Sequence, residues 1–173
     1  MPPMNADNPR QQILDALGWY CRGIDRLDPV LVRRGFHPGA ELRDYGTPLL
    51  SIEDFSEHAI GSLSDRFTAT QHRISNTLVE FDDDDPASGA AWVETYVLAL
   101  HVEAAAAGEP DLLHTFAGRY IDRFTERDGR WRIAQRQLRN DFTQVQPIER
   151  HMRGAYTASG RAGSPDPITH RVS

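Results

Sequence analysis

Apolar residues recur at Ile13, Leu14, Leu17, Cys21 and Ile24, and steps of about 100° per residue gather them into one arc of a helix. Asn8 and Pro9 supply a cap and a proline at the first helical position, with Gln11 three residues after the cap, so the helix begins there. Leu27-Asp28-Pro29 repeats the cap-and-proline signal, which ends the first helix near Leu27 and starts a short second one over 29–34. Residues 35–39 read as a loop and 40–45 as a short strand. Ser51, with Asp54 three residues on, caps a third helix that carries Ile52, Phe55, Ile60 and Leu63.

The pattern then changes. Residues 68–81, 90–105, 112–126 and 130–142 are long segments rich in β-branched and aromatic side chains. They are separated by turn signals: the acidic run Asp82 to Asp85 with Pro86, then Gly108-Glu109-Pro110, then Asp128-Gly129. Helices followed by a meander of strands predict an α+β fold, a curved antiparallel sheet whose concave face is covered by the N-terminal helices. The predicted organisation is an N-terminal arm over 1–7, one domain over 8–145, and a polar Gly-, Ser- and Pro-rich tail over 146–173 that is disordered or wraps a partner subunit.

Composition narrows the chemistry. The chain has 173 residues, enough for one hydrophobic core, and a net charge of -6 with scattered basic residues, which argues against a nucleic-acid binder. All 19 basic residues are arginine, so lysine Schiff bases, a lysine-anchored pyridoxal cofactor and a P-loop lysine are excluded. The single cysteine, Cys21, has no internal disulfide partner, which fits a cytoplasmic location. The N-terminus lacks signal-peptide character, and no apolar run matches a membrane span. No spacing of His, Cys or acidic residues announces a metal, and no glycine-rich nucleotide loop or nucleophile elbow is present.

Several polar residues fall where the pattern expects burial. Tyr20 and Asp25 lie on the two edges of the apolar arc of the first helix. Asp25 is in its last turn, where the helix macrodipole opposes negative charge and a cationic or donating partner is needed. In the strand after the third helix, alternation puts His72, Ile74, Asn76 and Leu78 on one face, the apolar one, so His72 points inward. An imidazole beside a carboxylate is a competent acid/base pair, because the carboxylate fixes the tautomer and stabilises the imidazolium. His101 shares a face with Val97 and Ala99 and is a possible inner polar residue, whereas His114 lies near a hairpin end. His37, His58, His151 and His170 read as solvated. Of Arg132, Arg136 and Arg139 on the last strand, at least one can reach inward and bind an oxyanion.

Three segments together carry a resemblance: Tyr20-Cys21-Arg22-Gly23-Ile24-Asp25-Arg26-Leu27-Asp28, Thr70-Gln71-His72-Arg73-Ile74-Ser75-Asn76, and Gly118 to Phe124 running on through Asp128-Gly129-Arg130-Trp131-Arg132-Ile133. In this order they resemble the SnoaL-like branch of the nuclear transport factor 2-like superfamily over about residues 8 to 145. The resemblance implies a cone-shaped α+β barrel with a deep pocket, as a homodimer or homotrimer. Members of the superfamily range from polyketide cyclases, ketosteroid isomerase, scytalone dehydratase, bile acid dehydratase and hexachlorocyclohexane dehydrochlorinase to non-catalytic dioxygenase β subunits, so the fold alone does not fix the activity. Spacing is most similar to the dehydratases and the dehydrochlorinase. On that basis Asp25 and His72 are the expected catalytic pair, with Tyr20 and Arg136 as hydrogen-bond donors and Asn76, His101, Tyr45, Leu17 and Ile74 on the pocket wall. The expected activity is a lyase reaction without cofactor or metal on a small hydrophobic cyclic substrate such as a steroid, polyketide or terpenoid intermediate. An isomerase or cyclase using the same dyad, and a binding or structural subunit without catalysis, are the alternatives.

Overall fold

The computed structural model describes residues 8–46 and 50–149. Helix α1 spans Pro9–Arg26, and the Asn8 carboxamide oxygen accepts the Gln11 backbone N–H as its cap. Leu27, in the left-handed conformation, closes the helix, and Asp28 caps α2, Pro29–Arg34, by accepting the N–H groups of Val30 and Leu31. Gly23 is needed where the two helices meet, since a Cβ there would lie 2.4 Å from the Val32 backbone nitrogen. Helix α3, Ile52–Arg66, opens on the Ser51 hydroxyl, which accepts the Asp54 N–H.

The strands are β1 (Phe36–Arg43), β2 (Leu50–Ser51), β3 (Ala69–Phe81), β4 (Ala90–Glu103), β5 (Asp111–Arg127) and β6 (Arg130–Ile148). They form one sheet in the order β2-β1-β6-β5-β4-β3, in which only β1 and β6 run parallel. The apolar arc of α1 (Ile13, Leu17, Ile24) meets Val93, Phe124 and Ile133 from the concave side of the sheet in one core. This is the expected α+β architecture, with a curved sheet packed on the N-terminal helices.

Two boundaries differ from expectation. The 35–39 segment is not a loop: β1 already starts at Phe36, and the register shift between Phe36 and Glu41 accommodates Pro38 and the left-handed Gly39 as an irregularity inside a strand. At the other end, β6 does not stop at 142. It pairs with β5 through Ile148, because residues 111–116 present a matching row of backbone groups that a shorter β6 would leave open. The 1–7 arm and the tail from 150 onward lie outside the described residues.

Candidate active site

Among the described residues the edge strand β3 has no sheet neighbour on its outer side, and the end of α1 covers part of that edge. There Asp25 uses the free backbone of the strand: the His72 N–H donates to both carboxylate oxygens at 3.1 and 2.9 Å. The His72 ring turns to the same carboxylate, with Nδ1 2.7 Å from Oδ1. An ionised carboxylate only accepts, so Nδ1 carries the proton, and in the neutral imidazole this tautomer leaves the lone pair on Nε2. The His72 side chain is 8% exposed and that of Asp25 19%, so the pair is largely withdrawn from water. The expected pairing of Asp25 with His72 is thus present in the structure.

The pair opens onto a cavity of about 420 Å³. Tyr20 and Ile24 of α1, Tyr45, Phe55, Ala59 and Leu63 wall it on the helix side; Ala99, Phe116, Tyr120 and Leu138 wall it on the sheet side. Small size at position 99 matters, because Ala99 lies directly across from His72 in the β3–β4 register and Phe116 follows it on β5. A larger residue there would fill the space in front of the imidazole. His101 and His58 also border the cavity.

Beneath the phenol of Tyr20 sits a buried ion pair. Arg136 is completely enclosed and binds Asp122 in a two-pronged arrangement, Nε and Nη2 to the two carboxylate oxygens at 2.7 Å each. Its guanidinium lies 3.9 Å from the centre of the Tyr120 ring and 4.3 Å from that of Tyr20. Burial opposes the charge on Arg136, but the Asp122 carboxylate outweighs it and holds the guanidinium protonated. Burial likewise pushes the Tyr20 phenol above its ordinary value, with Arg136 pulling the other way, so Tyr20 is a donor at neutral pH. The Tyr45 hydroxyl is buried beside the Tyr20 phenol and interacts with it, and Arg136 Nη1 is buried with no hydrogen-bond partner among the described residues.

Tyr20, Tyr45, His72 and His101 therefore meet at the cavity, with Asp25 behind His72. Other expected positions fall elsewhere. Asn76 is exposed on the opposite face, because a register shift between Ile74 and Thr77 reverses the alternation of β3; Thr77, Val79 and Phe81 then turn inward and Leu78 outward, 58% exposed. Leu17 is fully buried in the core and Ile74 packs against it, neither bordering the cavity. Arg136 points inward as expected but is bound to Asp122 behind the wall rather than bordering the space itself. The simple alternation that reads Ile133 as inward would put Gln135 inside; a bulge opposite Arg123 and Phe124 moves Arg136 and Leu138 there instead.

One histidine reading is corrected and another gains a neighbour. His37 is not solvated: it is 4% exposed, with Nε2 2.9 Å from the Thr125 carbonyl, and burial lowers its pKa. His58 is exposed as expected yet borders the cavity, because α3 lies across the mouth. Asp122 and Tyr120 are site residues beyond the sequence expectation, although Tyr120, Asp122 and Phe124 alternate inward on β5 and an aspartate in such a row is a visible signal. His151 and His170 lie outside the described residues. Among those residues, no group of three or more His, Cys, Asp or Glu is placed to hold a metal ion, and no helix is long and apolar enough to cross a membrane.

The profile of the SnoaL-like domain matches residues 8–137, from the cap of α1 to the inner half of β6. The chain belongs to the SnoaL-like family. Comparison with curated protein sequences finds no match. Among solved structures, this SnoaL-like chain is similar to the Kfla4162 protein of Kribbella flavida, with 23% identity, a TM-score of 0.69, and coverage of 81% of this chain and 95% of that one. A proposed scytalone dehydratase of Novosphingobium aromaticivorans is 22% identical with a TM-score of 0.64, covering 91% of this chain and 95% of that one. A type 2 hexachlorocyclohexane dehydrochlorinase, LinA, is 19% identical with a TM-score of 0.68, covering 84% and 94%. At these identities the likeness establishes the nuclear transport factor 2-like fold.

Proposed function

We propose that this SnoaL-like protein is a cofactor-independent lyase that eliminates water from a hydrophobic cyclic hydroxy-carbonyl compound, such as a steroid, polyketide or terpenoid intermediate. The observation that carries this reading is the Asp25–His72 pair, with Nδ1 held at 2.7 Å from the carboxylate while the ring borders a cavity walled by aromatic and aliphatic groups. Two of the similar structures bear the names of a dehydratase and a dehydrochlorinase, both eliminations.

In this mechanism His72 Nε2 removes the proton next to the carbonyl. Asp25 stabilises the imidazolium that results and keeps its ring in place. The electron pair moves into the carbonyl to form an enolate, and the Tyr20 and Tyr45 hydroxyls donate to its oxygen. The Tyr45 hydroxyl suits this task because it lies at the cavity wall beside Tyr20, and burial keeps its phenol protonated. Collapse of the enolate expels the β-hydroxyl, which takes the proton back from His72 and leaves as water. Arg136 acts from behind the wall, its cation holding the Tyr20 and Tyr120 rings and favouring electron density that builds up in front of them.

A set of cyclic β-hydroxy-ketones incubated with wild type, Asp25→Asn and His72→Gln tests the proposal. Formation of the unsaturated ketone by wild type alone supports it. Deuterium exchange from heavy water without loss of water would instead indicate an isomerase, and binding with neither reaction would indicate a carrier.

A further inference from the structure

The cavity has a second imidazole whose orientation is held by groups outside the proposed dyad. Residues Thr70, His101 and His114 form one cross-strand row over β3, β4 and β5. The His101 ring faces that of His72 with centroids 5.3 Å apart. Across this row lies Phe67, the residue that joins the lid helix α3 to β3, with ring centroids 4.8 Å from His101 and 5.4 Å from His114. Its backbone is fixed on both sides: the Phe67 N–H donates to the Leu63 carbonyl, and the next N–H, Thr68, donates to Val102 at 2.8 Å. On the far side of Phe67, His114 Nε2 lies 2.6 Å from Glu103 Oε2, and Arg66 Nη2 donates to the same oxygen at 3.3 Å. The Arg66 guanidinium also lies 5.1 Å from the centre of the Phe67 ring.

These contacts form a continuous path from the surface to the cavity. We propose that Phe67 is a positioning residue that keeps the His101 imidazole turned toward His72, and that the Arg66–Glu103–His114 clasp keeps Phe67 in that place. The inference rests on reading this cavity as the active site, and it adds a second ring nitrogen to the wall that a substrate meets. Two features favour it over simple packing. Full burial of α3 is confined to its first half, at Ile52, Phe55 and Ser56, while Ala59, Ile60 and Leu63 are only partly buried against the core, so the Phe67 joint and the clasp add a second hold on its C-terminal half. The hydrogen bond from Arg66 outweighs the opposing effect of burial and holds the Glu103 carboxyl below its usual range, which keeps it an ionised acceptor for both partners.

The experiment uses the full chain labelled at its histidine rings and needs no substrate, so it is independent of whether elimination is found. His72, His101 and His114 signals are assigned with single His→Gln variants, and His37, buried against the Thr125 carbonyl and outside the cavity lining, reports that the fold is intact. The expected result is a cross-ring nuclear Overhauser effect between His72 and His101 in wild type, lost in Phe67→Leu and restored in Phe67→Tyr. In Glu103→Gln, which leaves the Phe67 ring present, the His101 and His114 signals should move together. Persistence of the His72–His101 effect in Phe67→Leu with a native His37 signal would overturn the positioning role. Movement of His114 alone in Glu103→Gln would overturn the clasp.

Discussion

Asp25 binds His72 twice, through the backbone N–H of the strand and through the ring Nδ1–H. One carboxylate at the end of a helix thus satisfies an open group of an edge strand and sets the tautomer of the side chain that the same residue carries. Position and protonation are coupled in a single contact. Asp25→Asn should preserve the backbone hydrogen bond, since its side-chain oxygen still accepts, while removing the charge that stabilises an imidazolium. We predict a folded protein whose kcat for the responsive hydroxy-ketone falls by about 10²–10⁴-fold, the range of general acid–base catalysis. Steady-state kinetics beside a thermal melt checks both halves, and wild-type turnover by this variant would remove the dyad from the mechanism.

The pair Asp122–Arg136 should behave differently, because neither side chain has water to fall back on. Asp122→Ala leaves an enclosed guanidinium without its counter-charge, and a loss of about 3–5 kcal/mol is expected. Replacing both, as Asp122→Leu with Arg136→Met, should recover much of that loss while still lowering activity, since the cation behind Tyr20 is gone. Urea unfolding of the single and double variants separates the two contributions. A double variant as unstable as the single one would show that the pair itself, and not the orphaned charge, is what the fold requires.

Much of this site was legible in the sequence because it depends on periodicities that hold over short distances. The arc of α1 placed Tyr20 and Asp25, the Asp28 cap fixed the end of that helix, and strand alternation turned His72 inward. What escaped were the points where alternation changes phase. The shift between Ile74 and Thr77 sends Asn76 to solvent, and the bulge at Ala134 brings Arg136 rather than Gln135 inside. A bulge adds one residue to one strand, and the single sequence has no term for the length of its partner. Leu17 and Ile74 carry the same sequence signal as pocket wall because apolar inward residues look alike, whether they meet a cavity or another side chain. The Phe67 contacts depend on how α3 turns into β3, which no local pattern encodes.

Gly118 marks one of these phase changes. It lies where β5 and β6 shift register, and a Cβ there would stand 2.1 Å from the Arg139 carbonyl oxygen and 2.8 Å from the Phe116 ring. Backbone is on one side and a cavity-lining ring on the other, so Gly118→Ala must displace β6 or push Phe116 into the open space. We predict a clear drop in melting temperature together with weakened ligand binding. An unchanged melt and unchanged affinity would mean that the β5–β6 register tolerates movement at this point.

The cavity can be closed without touching any polar group. Ala99 is 3% exposed, borders the cavity and stands opposite His72. A larger side chain there grows into existing space rather than into packed atoms, so Ala99→Phe should keep the fold, unlike an overpacked core substitution. It should abolish both turnover and binding of hydroxy-ketones, as read by kinetics and calorimetric titration. Retained binding would place the ligand site elsewhere.

Alkaline pH offers a test of the buried wall that requires no ligand. Burial pushes the Cys21 thiol from 9.0 up to about 12, and it raises the phenols of Tyr20, Tyr45 and Tyr120 as well. Each group binds its proton more tightly in the folded chain than in the unfolded one. Their contribution is therefore complete below the unfolded pKa and is lost as pH rises toward the folded value, which for Cys21 is a window from about 9 to about 12. Stability should fall by about 1.4 kcal/mol per pH unit for Cys21 across that window, and by a similar slope for each buried phenol once pH passes its ordinary value of 10.0. Denaturant unfolding at stepped pH should show the slope, Cys21→Ala should reduce it by one group's share, and tyrosinate absorbance from the three buried phenols should appear only with unfolding. Ionisation of those phenols in a protein that remains folded would mean that water reaches the wall, and the dry environment on which the proposed enolate stabilisation relies would be absent.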